Sequence, residues 1–306
     1  MNTKRWRLFL TVLVMLTFIS KALGMASRPP EGMGATRSVD LSGNVFQFAM
    51  PEDFSRDMPA DDLVERLDIS DPSIFSEPDK GTLVRRWWDI KEPGFFGKKL
   101  GTVMMNISVR KVPDNTQHLL GSEPYDVTDR LSFMLMLTED AQLKHPKNQY
   151  TLPPTPERDP FSYYVPDFVT MVGDELHPSF LDEHFGSQVW TRYGVSAPES
   201  VLIVNYVVPV TRNVFLEASF YYSHNQDVVA RYFRDIADER VIHPILNTLK
   251  LDYSADNPVK DIVERGWHRE TTQQVVDRHK PQLILKLFGE EAYRDVYLEA
   301  PTSSER

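Results

Sequence analysis

Residues 83–112 read LVRRWWDIKEPGFFGKKLGTVMMNISVRKV and hold the longest stretch of regular side-chain alternation in the chain. The apolar faces comprise Val84, Trp88 and Ile90 in the first half and Val103, Met105, Ile107 and Val109 in the second half. A period of two residues is that of a pleated strand, although Arg86 interrupts the first apolar face. The pattern therefore predicts two strands joined as a hairpin.

The connection between these strands, KEPGFFGKKLG, is too long for a two-residue hairpin turn and contains a Pro-Gly turn signal. Aromatic and basic side chains cluster in this loop and on the outer face of the first strand. We interpret six of them as a candidate contact surface for a partner: Arg85, Trp87, Phe95, Phe96, Lys98 and Lys99. The alternative for Phe95 and Phe96 is that they cap the hydrophobic core.

Beyond this hairpin, the predicted strands are concentrated in the middle of the chain and the predicted helices near its end. Residues 124–140 have helical spacing of apolar side chains, and residues 189–221 contain three apolar strands. Residues 226–251 again have helical periodicity, which Pro244 should kink or restart. We therefore predict an α+β fold in which helices flank an antiparallel sheet, with an additional C-terminal helical segment.

The N-terminus has the layout of a signal peptide, with Lys4, Arg5 and Arg7 ahead of an apolar run from Leu8 to Ile19. That run is about a dozen residues, shorter than the roughly 20 needed to span a bilayer, so an uncleaved membrane anchor is the alternative. The predicted organisation is a signal peptide or anchor at 1–26, a linker at 27–42, an α+β domain at 43–252 and a C-terminal helical extension at 253–306.

Charge and cysteine content limit the classes of function. The formal charge is −10, and it becomes −14 when residues 1–26 are removed, because they carry four Lys or Arg residues and no acidic residue. An acidic protein lacks the basic footprint that nucleic acid requires. The charge fits a basic protein partner or serves solubility alone. The absence of cysteine excludes disulfides and thiol chemistry.

The sequence contains no motif for nucleophilic or nucleotide chemistry. It has no G-x-S-x-G elbow, no G-x-G-x-x-G loop and no lysine-bearing P-loop. The densest group of metal-ligand side chains is GDELHPSFLDEHFG at 173–186, in which the candidate ligands are Asp174, His177, Asp182 and His184. Their spacing matches neither a zinc motif nor a calcium loop, so we expect an exposed acidic loop there, with a partner-contact role as an alternative. We predict no catalytic residue, no metal and no cofactor.

Two short motifs resemble the ends of DcrB-like and PsbP-like domains. The opening strand FQFAMPEDF carries Phe46, Phe48, Pro51 and Phe54, and the closing helix leads into ILNTLK at 245–250, with Thr248 in place of the usual serine. The blocks RRWWDI and GFFGKKLGT are similar to segments of periplasmic immunity proteins of type VI secretion systems. This resemblance implies an antiparallel sheet flanked by helices, a periplasmic location, no intrinsic catalysis and inhibition by occluding an effector's active site.

Three hypotheses about function follow. The first is a periplasmic immunity or inhibitor protein that binds and neutralises a secreted lipase-like or wall-degrading effector. It would contact the membrane only through residues 1–26, if they are not cleaved. The second is an envelope accessory protein with no toxin partner. The third is a periplasmic hydrolase or metal enzyme built around residues 174–184.

Overall fold

The computed structural model describes residues 32–279, with gaps at 56–57, 59–62, 78, 95–96, 113–123, 145–170, 173–174, 177–179, 187, 198–200, 226–227, 268, 273 and 276–277. The strands are β1 (Arg37–Leu41), β2 (Asn44–Phe48), β3 (Arg66–Leu67), β4 (Thr82–Lys91), β5 (Lys99–Lys111), β6 (Met171–Val172), β7 (Glu175–Leu176), β8 (Phe180–Phe185), β9 (Gln188–Ala197), β10 (Val201–Pro209), β11 (Val214–His224) and β12 (Lys250–Asp252). The α-helices are α1 (Arg130–Lys144), α2 (Ala230–Ala237) and α3 (His243–Leu246). The shorter helical segments are a 3₁₀ turn at Pro72–Phe75 and π-helical turns at Asp238–Ile242 and Ile262–Gly266.

The described strands form two principal sheets. The larger has the order β4-β5-β11-β10-β9-β8 and is antiparallel throughout, and the smaller has the order β12-β2-β1-β3. Only the short β1–β3 pair is parallel in the smaller sheet. The protein thus has a mixed α+β fold that consists mostly of sheet.

The predicted hairpin is confirmed as β4 and β5. Trp88 on β4 pairs with Val103 on β5, and both side chains are fully buried. The nearly continuous apolar run at 201–208 is confirmed as an interior strand, because β10 lies between β11 and β9. The helix predicted at 124–140 begins later, at Arg130, where the Asp129 carboxylate accepts a hydrogen bond from Ser132 N at 2.8 Å.

The larger sheet buries a core on each face. One face packs against the smaller sheet and against α2 and α3, with Phe46 of β2 lying 6.5 Å from Trp190 of β9 between ring centroids. The other face packs against α1, where Phe133 meets Phe215 of β11 edge to face at 5.2 Å. Alternating side chains of β10 and β11 therefore enter different cores.

Two assignments from the sequence need correction. Residues 37–41 were assigned to a linker at 27–42, yet they form β1, with Val39 and Leu41 fully buried. Residues 180–185 were assigned to an exposed acidic loop, yet they form β8 at one edge of the larger sheet. In both places the strand pairs with the next strand along the chain, Leu41 with Asn44 and Phe185 with Gln188, and so short a connection leaves little local signal in the sequence.

The C-terminal region also takes part in the core. Val259 and Val263 join the core beneath the smaller sheet, and Trp267 joins the core beneath α1. The described part of the predicted C-terminal extension at 253–306 therefore contributes side chains to the same two cores as the preceding residues. The predicted signal segment at 1–26 lies outside them.

Candidate functional site

The predicted contact residues that the structure describes, Arg85, Trp87, Lys98 and Lys99, lie on or beside the β4–β5 hairpin, at the edge of the larger sheet. Trp87 is partly buried and faces Met104 across the β4–β5 pair. Arg85 forms an ion pair with Asp79, with 2.7 Å between Nη2 and Oδ1. Lys99 forms an ion pair of the same length, from Nζ to Asp89 Oδ1. Local carboxylates therefore neutralise two of the predicted cations, and the hairpin does not present a simple basic patch.

The remaining predicted contact residues surround the loop between β4 and β5. Lys98 is exposed, and its carbonyl oxygen accepts a hydrogen bond from Glu92 N at 2.9 Å, which closes the base of the loop. Phe95 and Phe96 lie outside the described residues. The choice between a core role and a contact role for these two residues therefore stays a prediction.

The first turn of α2 lies beside this hairpin end and exposes apolar side chains. Val229 is 71% exposed and Tyr232 is 45% exposed, and among the described residues only Met58 is a third exposed large hydrophobic. Asn225 links the two elements, because its N–H donates to Leu100 O at 2.9 Å and its Nδ2 donates to Lys99 O at 2.8 Å. We call Lys98, Lys99, Val229 and Tyr232 the hairpin–helix surface.

A cleft of about 970 Å³ opens where the end of β4 meets the π-helical turn that follows α2. Two contacts fix its walls: Ser55 N donates to Trp87 O at 2.6 Å, and Arg240 Nη1 donates to Lys91 O at 3.0 Å. The volume lies within the roughly 300–1,000 Å³ typical of ligand sites. We call this cleft the acidic groove because of the side chains that line it.

The acidic groove combines an apolar floor with a charged rim. Its floor contains Met33, Pro51, Ile90, Val241 and Pro244. Five lining residues are acidic and two are basic: Glu52, Asp53, Asp89, Glu92 and Glu239, against Lys91 and Arg240. These carboxylates come from three separate parts of the chain, which explains why no sequence motif revealed the groove. The arrangement can bind a cationic group that also carries apolar surface.

The metal candidate at 174–184 proves to be a structural contact where the structure describes it. Asp182 binds the guanidinium of Arg130, and Asp182 Oδ2 accepts a hydrogen bond from Thr272 N at 2.9 Å. Arg130 also lies over the Trp267 ring at 5.0 Å, and burial lowers the pKa of its guanidinium. His184 is exposed, whereas Asp174 and His177 lie outside the described residues. The Asp182 carboxylate thus holds the C-terminal segment against α1 and β8.

A buried carboxylate that the sequence did not indicate lies on the face of the larger sheet beneath α1. Glu217 of β11 is 6% exposed, and it accepts hydrogen bonds from Arg110 Nη1 at 3.0 Å and from the Tyr193 hydroxyl at 3.0 Å. Burial raises the pKa of neighbouring Tyr221, and the Glu217 charge raises it further. Because its carboxylate is paired on the sheet, Glu217 is explained as a satisfied core group.

A second cleft, of about 510 Å³, lies near the β1–β2 turn and is lined by both polar and apolar residues. Its polar groups bind one another, since Asn44 Oδ1 accepts hydrogen bonds from Ser254 N at 3.1 Å and from Asn257 Nδ2 at 2.8 Å. These contacts join the turn to the C-terminal segment. The acidic groove is therefore the stronger candidate site.

No protein-family model, curated protein or solved structure gives a significant match to this chain. Within the part of the chain that the structure describes, no three His, Asp or Glu side chains converge to hold a metal ion. The same residues include no helix that is both long and apolar enough to cross a membrane.

Proposed function

We propose that this protein is an exported immunity or inhibitor protein that binds a secreted antibacterial effector in the periplasm and blocks it by occlusion. In this proposal it has no catalytic activity of its own and needs no metal or cofactor. The signal-peptide layout, the acidic charge and the similarity of its short motifs to those of periplasmic immunity proteins support the proposal.

The observation that carries the proposal is the hairpin–helix surface. Exposed aromatic and apolar side chains beside a polar rim are the features of residues that dominate the energy of protein–protein interfaces. Val229 is the N-cap residue of α2, yet its side chain makes no capping hydrogen bond. Valine is a poor N-cap, and at 71% exposure its side chain offers apolar surface for contact with another molecule.

The proposed contact surface adjoins the acidic groove. Lys98 and Lys99 lie at the end of the hairpin, and Asn225 binds the Lys99 carbonyl oxygen a few residues before Val229 and Tyr232 at the start of α2. The acidic groove opens at the other end of the same helix, next to Arg240. A partner that covered all three features would meet an apolar centre with charged borders, which is the usual anatomy of a specific interface.

The test is co-expression of the protein with the product of the neighbouring open reading frame, directed to the periplasm. We expect the wild-type protein to restore growth and to co-purify with that product. The double variant Val229→Asn/Tyr232→Ala should fold normally, because asparagine is a better N-cap and alanine a better helix former. It should nevertheless lose both effects, because it removes the exposed apolar side chains.

Two results would overturn the proposal. One is growth inhibition that persists with no complex between the two proteins. The other is an envelope defect on deletion of the gene in a strain without any effector, which is the result expected of an envelope accessory protein.

A further inference from the structure

We infer that the acidic groove receives a cationic polypeptide segment of the partner, with lysine or arginine side chains inserted along the end of β4. This inference rests on the proposed function in one respect, namely that the partner is a protein. The chemistry of the groove can be tested without that partner.

Acidic side chains predominate on the walls of the acidic groove. Glu52, Asp53 and Glu239 are exposed on the two walls and carry the charge of the groove, whereas Asp89, on β4 between them, is paired with Lys99. Of the two cations in the groove, Arg240 is held by the carbonyl oxygen of Lys91. Acidic residues outnumber basic ones in the groove by five to two, and a concave site in which one sign of charge predominates attracts ligands of the opposite sign. An anionic ligand, including nucleic acid, is therefore disfavoured.

The floor of the acidic groove is apolar. Pro51, Ile90 and Val241 are buried residues whose remaining exposed surface lines the groove. Lysine and arginine side chains lay their aliphatic stems along apolar surface while their charged ends remain at a polar rim. The combination of apolar floor and acidic rim matches these two side chains better than it matches a bare inorganic cation.

The carboxylates of the acidic groove are spread along it and do not converge on one point. A divalent cation needs several oxygen ligands within about 2.6 Å of one point. Among the described residues no three acidic or histidine side chains converge in that way. Acidic groups separated along a cleft suit a ligand whose positive charges are also separated, as they are along a polypeptide.

The acidic groove is continuous with the hairpin–helix surface. α2 and the π-helical turn after it run from Tyr232, in that surface, to Glu239, in the groove. The apolar surface and the acidic groove are therefore neighbouring parts of one face. A partner seated on Val229 and Tyr232 is positioned to extend a loop into the groove.

The experiment measures the binding of a fluorescent peptide of alternating arginine and leucine to the full chain by fluorescence anisotropy. The same peptide with glutamate in place of arginine is the control ligand. We expect saturable binding of the arginine peptide alone, weakening as salt is raised because exposed charges are screened. The variant Glu52→Gln/Glu239→Gln should bind about tenfold more weakly, through the loss of two rim charges.

The matched control variant is Glu65→Gln/Asp256→Asn, which removes the same charge at exposed positions outside the groove. Equal weakening in both double variants would overturn the inference, because only net charge would then matter. Spermine competing as strongly as the peptide would overturn the polypeptide assignment in favour of a free polycation. Absence of saturable peptide binding together with intact protection from the effector would overturn the inference and leave the proposed function standing.

Discussion

The partly buried carboxyl group of Asp238 makes the stability of the fold depend on pH. Asp238 lies in the π-helical turn after α2, where its Oδ1 accepts a hydrogen bond of 2.5 Å from the hydroxyl of buried Tyr222. Burial raises the pKa of the Asp238 carboxyl group above its ordinary value of 3.8, although the Tyr222 hydrogen bond and nearby cations oppose the shift.

The sign of the pH effect follows from this raised pKa. The folded state holds the proton more tightly than the unfolded state, so the stabilising contribution is fully present below pH 3.8 and is lost as the pH rises through the folded pKa. Asp238→Asn keeps an acceptor for Tyr222 and removes the buried charge. We expect a higher free energy of unfolding at pH 7 and a weaker dependence on pH above 3.8, measured by urea denaturation.

Exposed Asp235 on the same helix provides the control, because Asp235→Asn should leave the pH profile unchanged. A second variant, Tyr222→Phe, leaves the Asp238 carboxylate without its buried donor and should cost about 1–3 kcal/mol at pH 7. A pH profile of Asp238→Asn identical to that of the wild type would contradict this account of the residue.

Asp182 and His184 are two residues apart on β8, yet the structure predicts different effects of changing them. Asp182→Ala leaves the buried Arg130 guanidinium without its carboxylate and should cost about 3 kcal/mol. His184→Ala alters an exposed side chain and should change stability by less than about 0.5 kcal/mol. Both are measured by thermal unfolding with and without a chelator. A melting temperature that falls when chelator is added to the wild type would restore the metal hypothesis.

At the level of elements, Gln188 joins the two sheets. Its side-chain amide pairs with the backbone of Leu251 on β12, with Leu251 N donating to Gln188 Oε1 at 3.0 Å and Gln188 Nε2 donating to Leu251 O. Gln188 is 2% exposed and Leu251 is 1% exposed. The amide therefore pairs with the N–H and C=O groups of Leu251 as a neighbouring strand would. It satisfies two buried backbone groups that water does not reach.

Gln188→Leu removes both hydrogen bonds at similar volume and leaves the Leu251 backbone groups buried without partners. We expect a loss of about 2–3 kcal/mol in the free energy of unfolding, measured by urea denaturation. Gln47→Leu, at a partly exposed position of β2, is the control and should change stability by less than about 0.5 kcal/mol. Equal stability of the two variants would contradict the role assigned to Gln188.

The first turn of α2 separates stability from function. Val229→Asn supplies a side-chain acceptor at the N-cap and should stabilise the fold by about 0.5–1 kcal/mol in urea denaturation. The same change should weaken binding to the effector, because it removes exposed apolar contact area. Destabilisation of the isolated protein by Val229→Asn would show instead that the valine serves the fold.

The elements differ in how far the sequence predicts them, and the physical reasons are specific. The β4–β5 hairpin follows from alternation, because one of its faces is buried along most of its length. β1 was missed because Val39 and Leu41 are only two apolar residues. The Ser42-Gly43 turn, with φ of 53° and 89°, joins β1 to β2. The parallel pairing of β3 with β1 depends on a distant segment and has no local signal.

The candidate site shows the same division. The outer face of the hairpin, with Arg85 and Trp87, follows from alternation alone. Arg85 and Lys99 form ion pairs with Asp79 and Asp89, and the alternation pattern does not predict either pairing. The acidic groove combines residues near 33, 52, 90 and 240, so only tertiary packing creates it.

At the scale of the whole molecule, we propose that one face of the protein binds the partner. That face comprises the hairpin end, the first turn of α2 and the acidic groove, and the protein around it carries a formal charge of −10. Electrostatic attraction would speed the encounter with a basic effector, and the exposed apolar side chains would hold the complex together.

The most direct measurement is hydrogen–deuterium exchange of the protein alone and in complex with the proposed partner, the product of the neighbouring open reading frame. We predict that binding slows exchange at 88–94, 97–101 and 228–240, with little change across β8 and β9. Protection confined to β8 and β9, with unchanged exchange at the hairpin end and α2, would contradict the proposal.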